Sequence, residues 1–196
     1  MRADGTGDMV ITINLSQSKT KVASVLLMDS VNGYKVPSKQ TIQKEINEAV
    51  AELKKMPGIS NVKSSTDFTN YIANISFSFK DVSNVNNITR KILEQQKIKG
   101  TSGSVYSFNK ATGTFSRTYQ HYAAGKTEYN KLKQADKDVF KTASYTSIYR
   151  FAKPIIKNSN TLSKISKSQK ATMQKCSMMD LINGRVSVSN QIQLAK

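Results

Sequence analysis

The sequence is short of the residues that build metal centres and disulfides. It contains one cysteine, one histidine, three prolines and no tryptophan among 196 residues. The lone Cys176 excludes an intramolecular disulfide, and we interpret it as a small apolar residue on a strand. Zinc sites draw on several cysteine and histidine ligands, and no carboxylate cluster or calcium-binding loop replaces them here. The sequence therefore predicts no metal and no cofactor.

Long hydrophobic runs are also missing. The longest apolar run, Val25-Leu26-Leu27-Met28, is far too short to span a bilayer. The first residues have no basic segment followed by an apolar one, which is the pattern of a signal peptide. A chain of this length buries roughly 70% of its unfolded surface, so it can form a core without disulfides or metals.

Acidic residues are scarce in the second half of the chain. The net charge is +17, and residues 99–196 hold 17 basic and 4 acidic side chains. Such a field attracts anionic partners, but 25 of the 30 basic residues are lysine, whereas base recognition and bidentate phosphate binding favour arginine. The charge indicates either an anion-binding patch or ordinary solubilisation. The lysines that would contact an anion are Lys153, Lys157, Lys164, Lys167, Lys170 and Lys175.

Catalytic motifs are absent as well. His121 lies in TYQHYAAG with no nucleophile motif near it, and we interpret it as a partly exposed loop residue. The opening Gly5-Thr6-Gly7 precedes a strand and is followed by no lysine or helix, so it predicts a reverse turn and not a phosphate-binding loop. We therefore expect no catalytic residues and no enzymatic activity.

Helical periodicity predicts two helices in the first half of the chain. Ser38 can cap the first helix and Pro57-Gly58 ends it. Its single apolar face consists of Ile42, Ile46, Ala49, Val50, Leu53 and Met56. The second helix is predicted to begin at Asp81 or Ser83 and to end near Gly100, with an inward face formed by Val85, Ile88 and Ile92.

Alternation of apolar and polar residues predicts strands. In residues 71–79 the rings of Phe77 and Phe79 share one side, which assigns them to the core. Residues 105–119 predict a hairpin in which Phe115, Arg117 and Tyr119 share a face. Over residues 1–119 the element order predicts an α+β domain of the ferredoxin-like βαββαβ type, a two-layer sandwich. An open α+β sheet is the alternative.

Residues 120–196 predict a β-rich C-terminal extension. It would pack on the same sheet as residues 1–119 or form a small second sheet. Pro154 confines the strand before it to an edge or to the end of that strand. We interpret NSNTLSKISKSQ as a polar loop.

RNA recognition motifs share the βαββαβ order and place aromatic rings on exposed strand faces. The outward face of the third predicted strand would carry Ile72, Asn74, Ser76 and Ser78, and none of these has a ring. A cytoplasmic nucleic-acid-binding module that uses the basic C-terminal half is therefore the second hypothesis for function.

Three segments resemble uncharacterised cell-envelope lipoproteins of the Bacteroidetes type. They are RADGTGDMVITINLS at the start, ISNVKSSTDFTNYIANISFSFKDVSNVNNI in the middle and YRFAKPIIKNSNTLSKISKSQKATMQKCSMMDLINGRVSVSNQIQL at the end. In that group a glycine-bearing first strand follows shortly after a lipid-modified cysteine, and the given sequence holds neither that cysteine nor a leader. The resemblance implies a bacterial protein exported to the periplasm or outer membrane and lipid-anchored in its native form. It implies no catalytic residue.

These observations predict a non-catalytic module of the cell envelope. We expect it to act by surface contact with a protein or an anionic polymer. Contact with the membrane is expected only through the missing N-terminal lipid anchor.

Overall fold

The computed structural model of the chain describes residues 1–31, 33–86, 88, 103–121 and 123–196. These residues form two compact units. The small unit is Asp8–Phe79, and the large unit combines Met1–Gly7 with Lys80–Lys196. This division differs from the predicted boundary between residues 119 and 120. The reason is that the hairpin of residues 103–120 pairs with a strand near the end of the chain.

The small unit is built on a three-stranded sheet and one long helix. Its strands are β1 (Gly7–Asn14), β2 (Ser30–Val31), β3 (Tyr34–Lys35), β4 (Ile59–Asp67) and β5 (Ile72–Phe79), and its helices are α1 (Lys19–Val25) and α2 (Lys39–Lys54). The main sheet has the order β1-β5-β4, and β2 pairs with β3 separately. Strands β4 and β5 are antiparallel. The hydrogen bonds from Thr12 to Asn74 and from Ser78 to Asp8 show that β1 is antiparallel to β5.

The predicted features of α2 and β5 are confirmed. The Ser38 hydroxyl accepts a hydrogen bond from the Thr41 backbone N–H at 3.1 Å, which satisfies one of the free donors at the helix start. Leu53 of the predicted apolar face is buried. Phe77 and Phe79 are 2% and 7% exposed, so the rings of β5 belong to the core.

The large unit contains most of the strands. They are β6 (Gly103–Asn109), β7 (Thr114–Gln120), β8 (Ser144–Arg150), β9 (Ile155–Asn158), β10 (Ser163–Ile165), β11 (Ala171–Ser177) and β12 (Asn190–Leu194), and the helices are α3 (Ala123–Lys131), α4 (Gln134–Lys141) and α5 (Met178–Ile182). Residues 84–86 and 88 are helical, and Val85 and Ile88 are buried as predicted. The rest of the predicted second helix, with Ile92 and Gly100, lies outside the described residues.

Two antiparallel sheets of the large unit enclose its core. Their orders are β6-β7-β12-β9 and β10-β11-β8. The ring of Phe115 on β7 lies 5.1 Å from that of Tyr149 on β8 and 5.5 Å from that of Phe151, measured between centroids. Val188 and Ile192 are fully buried. The inner faces of the two sheets therefore pack against each other.

The α+β class is confirmed, but the described strands do not have the ferredoxin-like order. In that order the strand after the second helix would join the first sheet, whereas β6 lies in a sheet with β7, β12 and β9. Local alternation identifies a strand but does not identify its partner. The predicted polar loop after β9 also contains β10, which pairs with β11. No helix of the described residues is long and apolar enough to cross a membrane.

Candidate functional site

Two of the six predicted anion-contacting lysines lie on the outer face of the three-stranded sheet. Lys164 on β10 is opposite Met173 in the register, and Lys175 on β11 is opposite Thr146. Lys157 lies on β9, at the edge of the other sheet. These three lysines are exposed, but the fold does not bring them into one patch.

The other three predicted lysines meet at one end of the large unit. The backbone N–H of Phe151 donates to the Lys170 carbonyl at 2.8 Å, and that of Ile155 donates to the Gln169 carbonyl at 2.7 Å. These bonds hold residues 151–155 against the turn of residues 166–170. Lys153 is therefore placed beside the turn that carries Lys167 and Lys170.

A cleft of about 280 Å³ opens at Lys153. Its basic side chains are Arg2, Lys110, Lys153 and Lys196, and none of the described lining residues is acidic. The remaining lining residues are Met1, Ala3, Phe108, Ala111, Gly113, Ala152, Leu194 and Ala195. We call this site the basic cleft.

Three local structures shape the basic cleft. Residues 2–6 form the turn predicted at Gly5-Thr6-Gly7, with the Arg2 N–H donating to the Thr6 carbonyl at 2.7 Å. The β6–β7 hairpin turns at Gly113, whose φ is +67°, a value that favours glycine. The Leu194 N–H donates to the Gly113 carbonyl at 2.9 Å, which brings the end of β12 to the hairpin.

The nearby Asp4 is tied into the first turn. Its carboxylate accepts the Thr6 backbone N–H at 2.9 Å and the Thr6 hydroxyl at 2.8 Å. These bonds lower the pKa of Asp4, and the charge of Lys110 adds a smaller effect in the same direction. Arg2, Lys110 and Lys196 were not predicted as site residues, because no local pattern connects positions so far apart in the chain.

A single positive charge is buried inside the large unit. Arg117 on β7 is only 5% exposed. Its Nε–H donates to the Ser104 hydroxyl at 2.6 Å, and its two terminal nitrogens donate to the hydroxyls of Tyr149 and Tyr145 at 2.9 and 2.8 Å. The guanidinium carbon also lies 5.6 Å from the ring centroid of Tyr106 and 5.4 Å from that of Tyr145, within the range of cation–π attraction.

This buried cation has no acidic partner in the described part of the chain, where no carboxylate forms an ion pair with it. Burial alone would lower the pKa of Arg117, but Tyr106, Tyr149 and Tyr145 outweigh it and the pKa is raised. Arg117 therefore stays charged between the sheets. Burying an ion without a counter-ion is costly unless hydrogen bonds compensate for its lost hydration.

A buried amide lies on the strand that pairs with β8. Gln174 on β11 is 1% exposed, and its Oε1 accepts the hydroxyl of Ser147 at 3.1 Å. Its Nε2 has no hydrogen-bond partner. Ser147 lies between Tyr145 and Tyr149 on the inward side of β8, since alternate residues of a strand share a face.

We call the set Ser104, Tyr106, Arg117, Tyr145, Tyr149 and Gln174 the arginine layer. The sequence pattern placed Arg117 on the same face as Phe115 and Tyr119, and the structure shows Phe115 and Arg117 buried on the inner side of β7. The pattern did not reveal the hydroxyls of β8 that bind the guanidinium. Those lie 28 and 32 residues further along the chain.

Tyr106 makes the large unit sensitive to alkaline pH. Burial raises the pKa of Tyr106 from 10.0 to about 12, although Arg117 opposes the shift. The unfolded chain therefore loses this proton first, so the stabilising contribution is complete below pH 10 and is lost as the pH rises towards 12. We expect the difference in unfolding free energy between the wild type and Tyr106→Phe to fall by roughly 2 kcal/mol over this interval. Urea unfolding of both proteins at each pH measures this difference. Unfolding free energies that change in parallel with pH for the two proteins would contradict the prediction.

Cys176 and His121 lie away from the basic cleft. Cys176 is half-buried on β11 opposite Tyr145. Burial raises the pKa of its thiol, and Asp180 adds to the effect, so little of the reactive thiolate is present at neutral pH. His121 is exposed, and its Nε2 lies 2.9 Å from the Ile182 carbonyl oxygen.

Among the residues that the structure describes, no three histidine, cysteine, aspartate or glutamate side chains come together as a metal site. Comparisons of the chain with models of protein families, with curated proteins and with solved structures found no match.

Proposed function

We propose that this protein is a non-catalytic binding module that contacts an anionic polymer through the basic cleft. The observation that carries the proposal is the convergence of Arg2, Lys110, Lys153 and Lys196 on one cleft with no acidic side chain in its described lining. Lys167 and Lys170 extend the positive charge beyond it.

A polymer explains the arrangement better than a small ligand does. Lys153 belongs both to the cleft and to the segment that is hydrogen-bonded to the turn of residues 166–170, so we infer that a chain of repeated anionic groups can contact both. Lysine predominates, and its flexible point charge suits groups of varied geometry better than the planar fork of arginine. The location in the bacterial cell envelope is part of the same proposal and is supported by the resemblance to envelope lipoproteins.

The proposal is tested with a fluorescent sulfated polysaccharide. Charge reversal of two cleft residues, Lys110→Glu with Lys153→Glu, should weaken binding at least about tenfold, and the affinity of the wild type should fall steeply with salt. The matched control is Lys44→Glu with Lys54→Glu, which makes the same charge change on the exposed surface of α2. We expect this control to weaken binding by no more than about threefold.

Three results would contradict the proposal. Equal losses in the cleft variant and the α2 control would show that binding follows net charge and not the cleft. Tighter binding of DNA or RNA than of the polysaccharide at the same salt concentration would favour the nucleic-acid hypothesis. Turnover in a screen of hydrolase substrates, abolished by changing one polar residue, would refute the absence of catalysis.

A further inference from the structure

We propose that the arginine layer binds a small monovalent anion of about the size of a halide between the two sheets of the large unit. This inference does not depend on the basic cleft. It rests on hydrogen-bond donors without acceptors and on a buried positive charge without a counter-ion.

Several hydrogen-bond donors of the arginine layer have no acceptor among the described residues. An arginine has five N–H donors, and Arg117 uses three of them on Ser104, Tyr145 and Tyr149. The two tyrosine hydroxyls accept these bonds, so each still has its own proton to donate. Within the described residues neither hydroxyl donates to another protein atom.

Gln174 adds two more hydrogen-bond donors without an acceptor. Its oxygen is occupied by Ser147, and the two N–H donors of its buried Nε2 have no acceptor. Ser147 lies between the two tyrosines on β8, and Gln174 is opposite Ser147 in the register. Gln174 therefore pairs with the strand face that carries both tyrosines.

A ligand bound in the arginine layer has to accept hydrogen bonds. A water molecule could accept two of these bonds, but it would leave the charge of Arg117 without a counter-ion. A monovalent anion contributes acceptors only and also neutralises the single charge of Arg117. A divalent anion would leave an excess negative charge in the same buried place, which is costly.

The test is the thermal stability of the intact protein in chloride or bromide. Ionic strength is held constant with gluconate, which is too large to enter the layer, and unfolding is followed by the near-ultraviolet circular dichroism of tyrosine. A ligand that binds only the folded state stabilises it by mass action, so we expect a saturable rise in Tm of about 5 °C at high halide concentration.

Variants locate the effect. Arg117→Met removes the charge, and Tyr149→Phe and Gln174→Met each remove one part of the layer in case the first variant does not fold. We expect the halide-dependent rise in Tm to fall by at least about half in Tyr149→Phe and Gln174→Met. The matched control is Arg150→Met, an exposed arginine next to Tyr149, which should keep the full rise.

Lys110→Glu with Lys153→Glu should also keep the rise, which separates this site from the basic cleft. Bromide diffused into crystals should give an anomalous peak within hydrogen-bond distance of Arg117. A wild-type Tm that depends on ionic strength alone, an equal halide effect in Arg117→Met or Gln174→Met, or a water at this position in bromide-soaked crystals would overturn the proposal.

Discussion

Replacing Tyr145 and Tyr149 together with phenylalanine should lower the free energy of unfolding by about 3–5 kcal/mol. Each change removes a hydroxyl that accepts a hydrogen bond from the Arg117 guanidinium, and hydrogen bonds to charged groups contribute about 1.5–3 kcal/mol each. The charge itself would stay buried with one remaining side-chain acceptor, Ser104. Urea unfolding followed by tyrosine circular dichroism measures the loss.

A third change distinguishes the cost of burying a charge without hydrogen-bond partners from the cost of lost packing. Adding Arg117→Met to the double variant removes the guanidinium, so most of the lost stability should return. Tyr129→Phe is the matched control, because Tyr129 packs edge-on against Phe140 and its hydroxyl makes no hydrogen bond among the described contacts. We expect its effect to stay within about 0.5 kcal/mol. A triple variant no more stable than the double variant would contradict this account of the arginine layer.

The second large effect concerns the apolar part of the same core. Ile192 is 0% exposed and lies on β12 between β7 and β9, opposite Phe115 and Asn158. Ile192→Ala should destabilise the protein by about 3–4 kcal/mol, since the change removes buried methyl groups and leaves a cavity between strands on both sides.

An isoleucine on the neighbouring strand supplies the control for this change. Ile156 on β9 is 66% exposed, so Ile156→Ala should cost less than about 1 kcal/mol. Both variants remove the same atoms, and only burial differs. Similar losses for the two would show that the β6-β7-β12-β9 sheet does not form the inner wall described above.

Local sequence patterns predicted individual elements well. The cap at Ser38 and the buried rings of β5 depend on residues within one turn or on alternate positions of one strand, and the structure confirms both. The predicted apolar face of α2 is confirmed at Leu53, whereas Ala49 is exposed. The hairpin of β6 and β7 was also predicted, because its two strands are joined by a short turn. Interactions over such short separations are decided by side-chain periodicity and turn chemistry alone.

The candidate sites could be predicted only in part. The sequence indicated the basic second half and named Lys153, Lys167 and Lys170, which the fold does bring to one end of the large unit. It also named Lys164 and Lys175, which share the outer face of the β10-β11-β8 sheet, and Lys157, which lies on β9 in the other sheet. Arg2 and Lys196 could not be found in this way, since long-range backbone hydrogen bonds from Ala152 to Met1 and from Ala195 to Pro154 decide what lies beside Lys153.

The sequence by itself determined the α+β class, the total charge and the face of β7 that Arg117 shares with Phe115. Only the tertiary structure decided that β6 and β7 pair with β12, that Arg117 is enclosed by tyrosines of β8, and that the basic residues of both chain ends share a cleft. The physical reason is that the periodicity of apolar residues along a segment indicates which side chains that segment must bury. The partner that covers them is chosen by complementarity among all the segments at once.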